Sequence, residues 1–317
     1  MHAVLERVRS YGIVGVFAIL FITLSIASPS FLSFQNAANI LDQSTILFIF
    51  AATTTVAVIA GIFDLSIAAV ATASAIMTVN AINWFGMFPG VLTGLLFGAL
   101  LGLITGLAIT ATNVNSFIGT LAASFTYRGL GLVLAAGGLV TIADKDVAVS
   151  LNSVMEDKIL GIKGAVWISL AFVILVGLLL SKTVFGKWVY AVGGNREAAY
   201  LAGIRTQRVL VGCYVLSGIG AGLAGVIYAG RYGTGATNAY NDTFVFTAIA
   251  AVVVGGVSIF GGSGAVWRGI MGILTFALIS NGLNLLGVDT TYQLTILGLL
   301  IFIAVAADQA FRRTTRT

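Results

Sequence analysis

Few side chains in this sequence could do covalent chemistry. The 317 residues contain one histidine, His2, and one cysteine, Cys213. Neither a disulfide framework nor a Cys/His metal site can be built from them. No Ser/His/Asp or Cys/His set exists, so no catalytic residue and no metal ligand is assigned. Gly186-Lys187 is followed by Trp188 and lacks the upstream glycine of a Gly-x-x-x-x-Gly-Lys-Ser/Thr phosphate loop. The chain is therefore expected to bind neither ATP nor another cofactor itself, and not to be an enzyme.

The polar residues that stand out lie inside or between long apolar runs. Asp64 and Ser66 fall in Gly61-Ile62-Phe63-Asp64-Leu65-Ser66, and Arg128 falls in Thr126-Tyr127-Arg128-Gly129. An ionisable group at mid-membrane costs at least about 2.5–3.5 kcal/mol on insertion scales. Such residues line a pathway or hold neighbouring helices together, and both roles stay open. Asn80, Asn281 and Asn284 carry the same pair of readings, solute hydroxyl binding or interhelical hydrogen bonding. The candidate pathway set is Asp64, Ser66, Arg128, Asn281 and Asn284.

Residues 190–203 form a different pattern. Gly193 and Gly194 are expected to break the chain, and Asn195 is a good helix N-cap. Glu197 suits the first-turn dipole, Ala198 and Ala199 favour helix, and Gly203 can end it. A helix this short is marginal alone, so it is expected to dock against a cytoplasmic partner.

These residues must be positioned by membrane helices. Only 9% of residues are charged and 59% are hydrophobic, against about 25% charged in a soluble domain. About 20 apolar residues span the hydrocarbon core as helix. Runs of that kind occur at 10–27, 44–62, 64–82, 89–111, 116–136, 164–181, 207–230, 243–260, 265–287 and 291–307. Because the runs are continuous, a β-barrel is excluded. The expected fold is all-α and polytopic, about ten transmembrane helices in a single domain over 1–317.

Orientation follows from the basic residues. One side carries Arg7, Arg9, Lys182, Lys187, Arg196, Arg205, Arg208, Arg312, Arg313 and Arg316; the other carries Lys145, Lys158, Lys163 and Arg231. Both termini and the loop at about 182–208 are thus expected inside, with the loop at about 137–163 outside. The net charge of +5 is explained by this topology and calls for no nucleic acid.

Glycine marks two further features. Gly90, Gly94, Gly98, Gly102 and Gly106 recur every four residues on one helix face, which suits close helix packing or a sliding surface. Five glycines fall within 255–264, at a turn or at a break near a central cavity.

Several stretches in order resemble one family. Asp64-Leu65-Ser66, Ser116-Phe117-Ile118 with Thr120-Leu121, Arg128-Gly129, Gly193-Gly194-Asn195 with Glu197-Ala198-Ala199, Ala202-Gly203-Ile204, Ala248 to Gly256, and Asn281 to Val288 are similar to permease subunits of bacterial ribose-type sugar ATP-binding-cassette importers. The likeness runs from about 35 to 308. It implies a multi-pass protein of the bacterial cytoplasmic (inner) membrane, in contact with lipid, that moves a sugar or related polyol. It also implies a separate ATPase subunit carrying ATP-Mg, a second permease copy or homologous permease, and a periplasmic or extracellular sugar-binding protein. Gly193, Gly194, Asn195, Glu197, Ala198, Ala199 and Gly203 would then form the ATPase-coupling helix. Two departures, Ile62-Phe63 before Asp64 with Ile67-Ala68 after Ser66, and Phe244 to Thr247 where acids are usual, bear on which solute is preferred. The alternatives are an ion-coupled secondary transporter, or a permease of the same architecture for amino acids or nucleosides.

Overall fold

A computed structural model describes residues 2–289 and scattered positions up to 302, with side chains from residue 12. In chain order the helices and strands are α1 (His2–Ala27), α2 (Phe34–Ile59), α3 (Ile67–Phe85), α4 (Met87–Thr112), α5 (Ser116–Leu134), β1 (Leu139–Thr141), α6 (Lys145–Glu156), β2 (Lys158–Ile159) and β3 (Ile162–Lys163). They continue with α7 (Gly164–Lys182), α8 (Val184–Gly194), α9 (Arg196–Leu201), α10 (Thr206–Tyr232), β4 (Thr234–Ala236), α11 (Asp242–Val254) and α12 (Val266–Leu285).

Seven of these (α2, α3, α4, α5, α7, α10 and α12) are long and apolar enough to cross a membrane. Shorter apolar helices at Gly12–Ala27 and Asp242–Val254 stand where the first and eighth spans were expected. Most of the tenth run, 291–307, and the C-terminal arginines lie outside the described residues. The chain is thus a mostly helical, polytopic membrane protein.

The helices start and stop where local chemistry directs. Ser33 caps α2 by accepting from the Asn36 amide, and Asn115 caps α5 through the Phe117 amide. Gly86, at φ 88°, both ends α3 and begins α4. That left-handed corner, where only glycine is free of Cβ strain, folds the two helices into a tight hairpin.

α3, α4 and α10 form the centre of the bundle, and α4 with α10 has the most extensive helix–helix contact. Gly98, Gly102 and Gly106 of α4 explain it, while Gly90 and Gly94 lie chiefly against Ile82 and Thr78 of α3. A Cβ on Gly98 would lie 2.4 Å from the Gly218 carbonyl oxygen, and one on Gly102 would lie 2.3 Å from that of Tyr214. The periodic glycines are therefore a packing seam, backbone against backbone. α2 crosses beside this core with Phe48, Ile49 and Phe50 fully buried, and packs on α7 and α12.

The two ends of the bundle differ. One end carries α8 and α9. The other carries α6 and two small ribbons, β1 antiparallel to β4 and β2 antiparallel to β3. The β2–β3 turn uses Leu160 and Gly161 at φ 54° and 81°, the left-handed pair a two-residue hairpin requires. These strands qualify the all-α expectation. They are two or three residues long, too short to show an alternating pattern.

Candidate functional site: a glycine joint beneath the α9 knob

The α8–α9 segment is built as expected at one point and differently at another. Asn195 caps α9 by accepting from the Ala198 amide at 2.9 Å, with Glu197 in the first turn. Gly203, at φ 86°, ends the segment in a left-handed conformation. Gly193 and Gly194, however, do not break the chain. They complete the last turn of α8, a helix the apolar-run analysis did not foresee.

Close approach explains the glycine at 193. A Cβ there would fall 1.7 Å from the Ile59 carbonyl oxygen and 2.8 Å from the Gly262 nitrogen. The Gly262 N–H donates to that same Ile59 oxygen at 2.8 Å. Gly261 and Gly262 in turn press on the backbone of Gly193 and Gly194, and the Tyr190 hydroxyl donates to the Gly264 carbonyl at 2.8 Å. The C-terminal end of α2, the end of α8 and the glycine-rich turn between α11 and α12 thus meet with main chain pressed on main chain, and the Tyr190 hydroxyl adds a side-chain tie. The turn at 255–264 is a turn, and it is also one third of this joint.

Beyond the joint, α9 projects with Ala199 buried beneath it and Glu197 and Ala198 exposed. Tyr200 and Leu201 are 69% and 78% exposed. An exposed tyrosine and leucine side by side on a six-residue helix form an apolar knob. Sequence reading gave neither residue a contact role, because neither is unusual in composition.

Next to the joint the chain leaves α2, crosses Gly61–Ser66 without regular structure and enters α3. Its polar backbone groups are met by side chains of α5 (the Phe63 amide by Ser116 at 3.3 Å, the Leu65 amide by Thr120 at 3.1 Å). The Asp64 carboxylate accepts from the Ser66 amide (2.9 Å), the Ser66 hydroxyl (2.6 Å) and the Ser217 hydroxyl (2.5 Å). Ser217 lies 11 residues into α10, about 17 Å along its axis at 1.5 Å per residue. Asp64 is therefore held well inside the bundle, by three donors and by no cation among the described residues.

The remaining candidates are not gathered with Asp64. Arg128, on α5, donates to Asp242 at the start of α11 at 2.6 Å, and the two side chains are 28% and 62% exposed. Asn281 is buried and exchanges two hydrogen bonds with Asn36 (2.8 and 3.1 Å), clasping α12 to α2. Asn284 lies one turn further along α12. Asn80 donates to the Leu134 carbonyl at the end of α5.

At the α6 end sequence reading missed a network. Lys163 bridges Asp42 (2.9 Å) and Glu156 (2.6 Å), and Arg231 bridges the same two carboxylates at 2.5 and 3.3 Å. The network ties α6 to α2 and α10. Partial burial pulls the Lys163 pKa down, but the hydrogen bonds from Glu156 and Asp42 outweigh it and hold the ammonium above the ordinary 10.5. Asp42 and Arg231 lie far in sequence from each other and from Glu156 and Lys163, so no local motif announced the network. Among the described residues no cluster of three metal-ligating side chains occurs.

A family profile described as branched-chain amino acid transport system / permease component matches residues 36–305. The chain is 40% identical over 297 residues to the ribose import permease protein of Bacillus subtilis (strain 168), covering 93% of this chain and 91% of that one. It is 35% identical to the L-arabinose transport system permease protein of Escherichia coli (strain K12), covering 97% and 92%, and 34% identical to the L-arabinose ABC transporter permease protein of Azospirillum brasilense, covering 98% and 90%. No solved structure matches. These likenesses fit a transport subunit without its own ATPase site, and not an ion-coupled secondary transporter. The chain belongs to the branched-chain amino acid transport system / permease component family and, within it, to the permeases of ribose-type sugar ATP-binding-cassette importers.

Proposed function

We propose that this chain carries a sugar or related polyol across the bacterial inner membrane, driven by a separate ATPase subunit that grips the α9 knob. The observation that carries the reading is the combination of exposure and anchorage at α9. Its Tyr200–Leu201 tip is free to enter a groove on a partner, while its base is seated on the glycine joint. A push on α9 is therefore delivered to the end of α2, and through Gly61–Ser66 to α3. Asp64 and Ser66 hold that irregular connection to α10, so it moves as a piece when the bundle changes state. ATP-Mg on the partner would shift the balance between outward- and inward-open states.

In this reading both termini and α8–α9 face the cytoplasm, as the ten-to-four distribution of Lys and Arg favours. A binding protein delivers solute at the α6 end. Arg128 and Asp242 support a second permease copy, identical or homologous. A part-exposed ion pair on the flank of two apolar helices is costly against lipid and inexpensive against water. The α5–α11 flank therefore lines an aqueous pathway that another copy closes. Asn281, clasped to Asn36, serves a helix–helix joint rather than that pathway, while Asn284 stays a pathway candidate. The relatives, a ribose and an L-arabinose permease, support a pentose-sized polyhydroxylated solute.

The test is Glu197→Arg in the complete importer reconstituted in vesicles. The ATPase is expected to remain active while solute uptake per ATP falls severalfold, with the permease still inserted. Unchanged coupling would remove α9 from the drive path.

A further inference from the structure

A second feature at the α8–α9 end is not used by this mechanism. Beside the knob lies a groove of about 380 Å³ lined by Phe185, Trp188, Ile204, Arg205, Arg208 and Val209, among others. One wall is α8, and the other is the link from the end of the knob, Ala202 and Gly203, into the first turn of α10. The floor is apolar, and Phe185 lies against Gly212 of α10, where a Cβ would come within 2.8 Å of its ring. The rim carries two exposed guanidinium groups. Neither Arg205 nor Arg208 has an ion-pair or hydrogen-bond partner for its side chain among the described residues. Glu197 is the only acid between 182 and 208, against five bases. α10 also begins here without a side-chain cap, so its positive dipole end adds to the same field.

We infer that this groove binds the phosphodiester headgroup of an anionic membrane phospholipid, with the phosphate between Arg205 and Arg208 and an acyl chain along Phe185, Trp188 and Val209. Charge selects the ligand class, since two unpaired cations and no facing carboxylate favour an anion. Position selects a lipid over a soluble anion or an acidic protein patch. Trp188 is 45% exposed at the boundary where indoles settle between headgroup and hydrocarbon. The apolar wall continues onto the exposed Val184 and Leu178 at the ends of α8 and α7. Basic pockets between helices on the cytoplasmic side are the recurrent form of such sites. The inference rests on this end lying at the membrane boundary and is independent of which solute is transported.

Native mass spectrometry of the full chain, offered phosphatidylglycerol and phosphatidylcholine in equal amounts, tests it. A preference for phosphatidylglycerol is expected. Each guanidinium near an anionic headgroup contributes about fivefold, so Arg205→Gln with Arg208→Gln should reduce the preference about 30-fold. Arg196→Gln, on α9 outside the groove, should leave it intact. An equal loss from Arg196→Gln, or no loss from the double variant, overturns the site. If the double variant fails to fold, the wild type decides: brominated phosphatidylglycerol should quench its fluorescence more than brominated phosphatidylcholine, with the excess absent in Trp188→Phe. An excess that survives in Trp188→Phe overturns the site. Displacement of the lipid by millimolar inorganic phosphate would make it a soluble-anion site, and displacement on adding the ATPase subunit would make it part of that interface; either result refutes the proposal. The Glu197→Arg coupling result can fail while this one stands, and the reverse.

Discussion

Gly193→Ala adds one methyl group at the point where three backbones meet. Its Cβ would lie 1.7 Å from the Ile59 oxygen, where ordinary contact begins at 3.4 Å. Nothing flexible lines that spot, because the neighbours are carbonyl and amide atoms. The joint must open, and the Gly262 N–H···O=C Ile59 bond opens with it. Overpacking costs about 1–3 kcal/mol, and the lost hydrogen bond adds about 1 kcal/mol. Replacing glycine by alanine inside α8 returns about 1 kcal/mol of helix propensity. The balance is about 2 kcal/mol against the closed joint, or about 30-fold in its population. Hydrogen exchange at the Gly262 amide should accelerate by that factor, and uptake per ATP in reconstituted importer should fall while hydrolysis continues. Gly194→Ala is the control, since its Cβ would meet only the Gly262 Cα at 3.9 Å. That variant should exchange and transport like wild type. If Gly193→Ala also leaves both readouts unchanged, the joint does not transmit motion and the reasoning is wrong.

Other changes test other parts of the bundle. Gly98→Leu drives a side chain toward the Gly218 oxygen and the Gly222 backbone, each under 3 Å from even a Cβ, so membrane abundance should fall by several-fold in immunoblots; wild-type abundance with normal uptake would contradict the packing seam. Asp64→Asn retains volume but weakens the three-donor cage, so uptake should drop more than abundance, and equal losses would make Asp64 structural. The raised Lys163 pKa means that its ion pairs stabilise the α6 strap from neutral pH up to about 10.5 and are lost as pH rises through the higher folded value. Proteolysis within 137–163 should therefore stay slow up to pH 10 and quicken above it, and Lys163→Met should quicken it already at pH 7.

What the sequence made legible follows the length scale of each signal. Nine apolar runs correspond to helices; six have both ends within about three residues of the expected ones, while α11 ends six residues early, α1 begins eight residues early and α2 begins ten residues early. There Ser33 supplies a cap ahead of Phe34-Gln35-Asn36, a polar first turn that hydropathy alone discounts. α8 was missed for a related reason: at 11 residues it is too short to register as a span, and its terminal glycines read as breakers. The cap at Asn195 was legible because capping is local chemistry. The joint was not, because Ile59, Gly193 and Gly262 come together only through folding. The same holds for Arg128 with Asp242 and for Asn36 with Asn281, where one partner was noted and the other could not be named. Asp64 with Ser66, Arg128 and Asn281 thus stand in three different settings.

The length of α11 carries a consequence of its own. Thirteen residues rise only about 20 Å, while a bilayer's hydrocarbon layer is about 30 Å deep. The shortfall is bridged by nonhelical chain, and the Tyr240 amide in that stretch is satisfied by the Thr72 hydroxyl at 3.2 Å. The stretch that completes the crossing thus depends on α3 for a hydrogen-bond partner that a longer helix would have supplied from its own backbone.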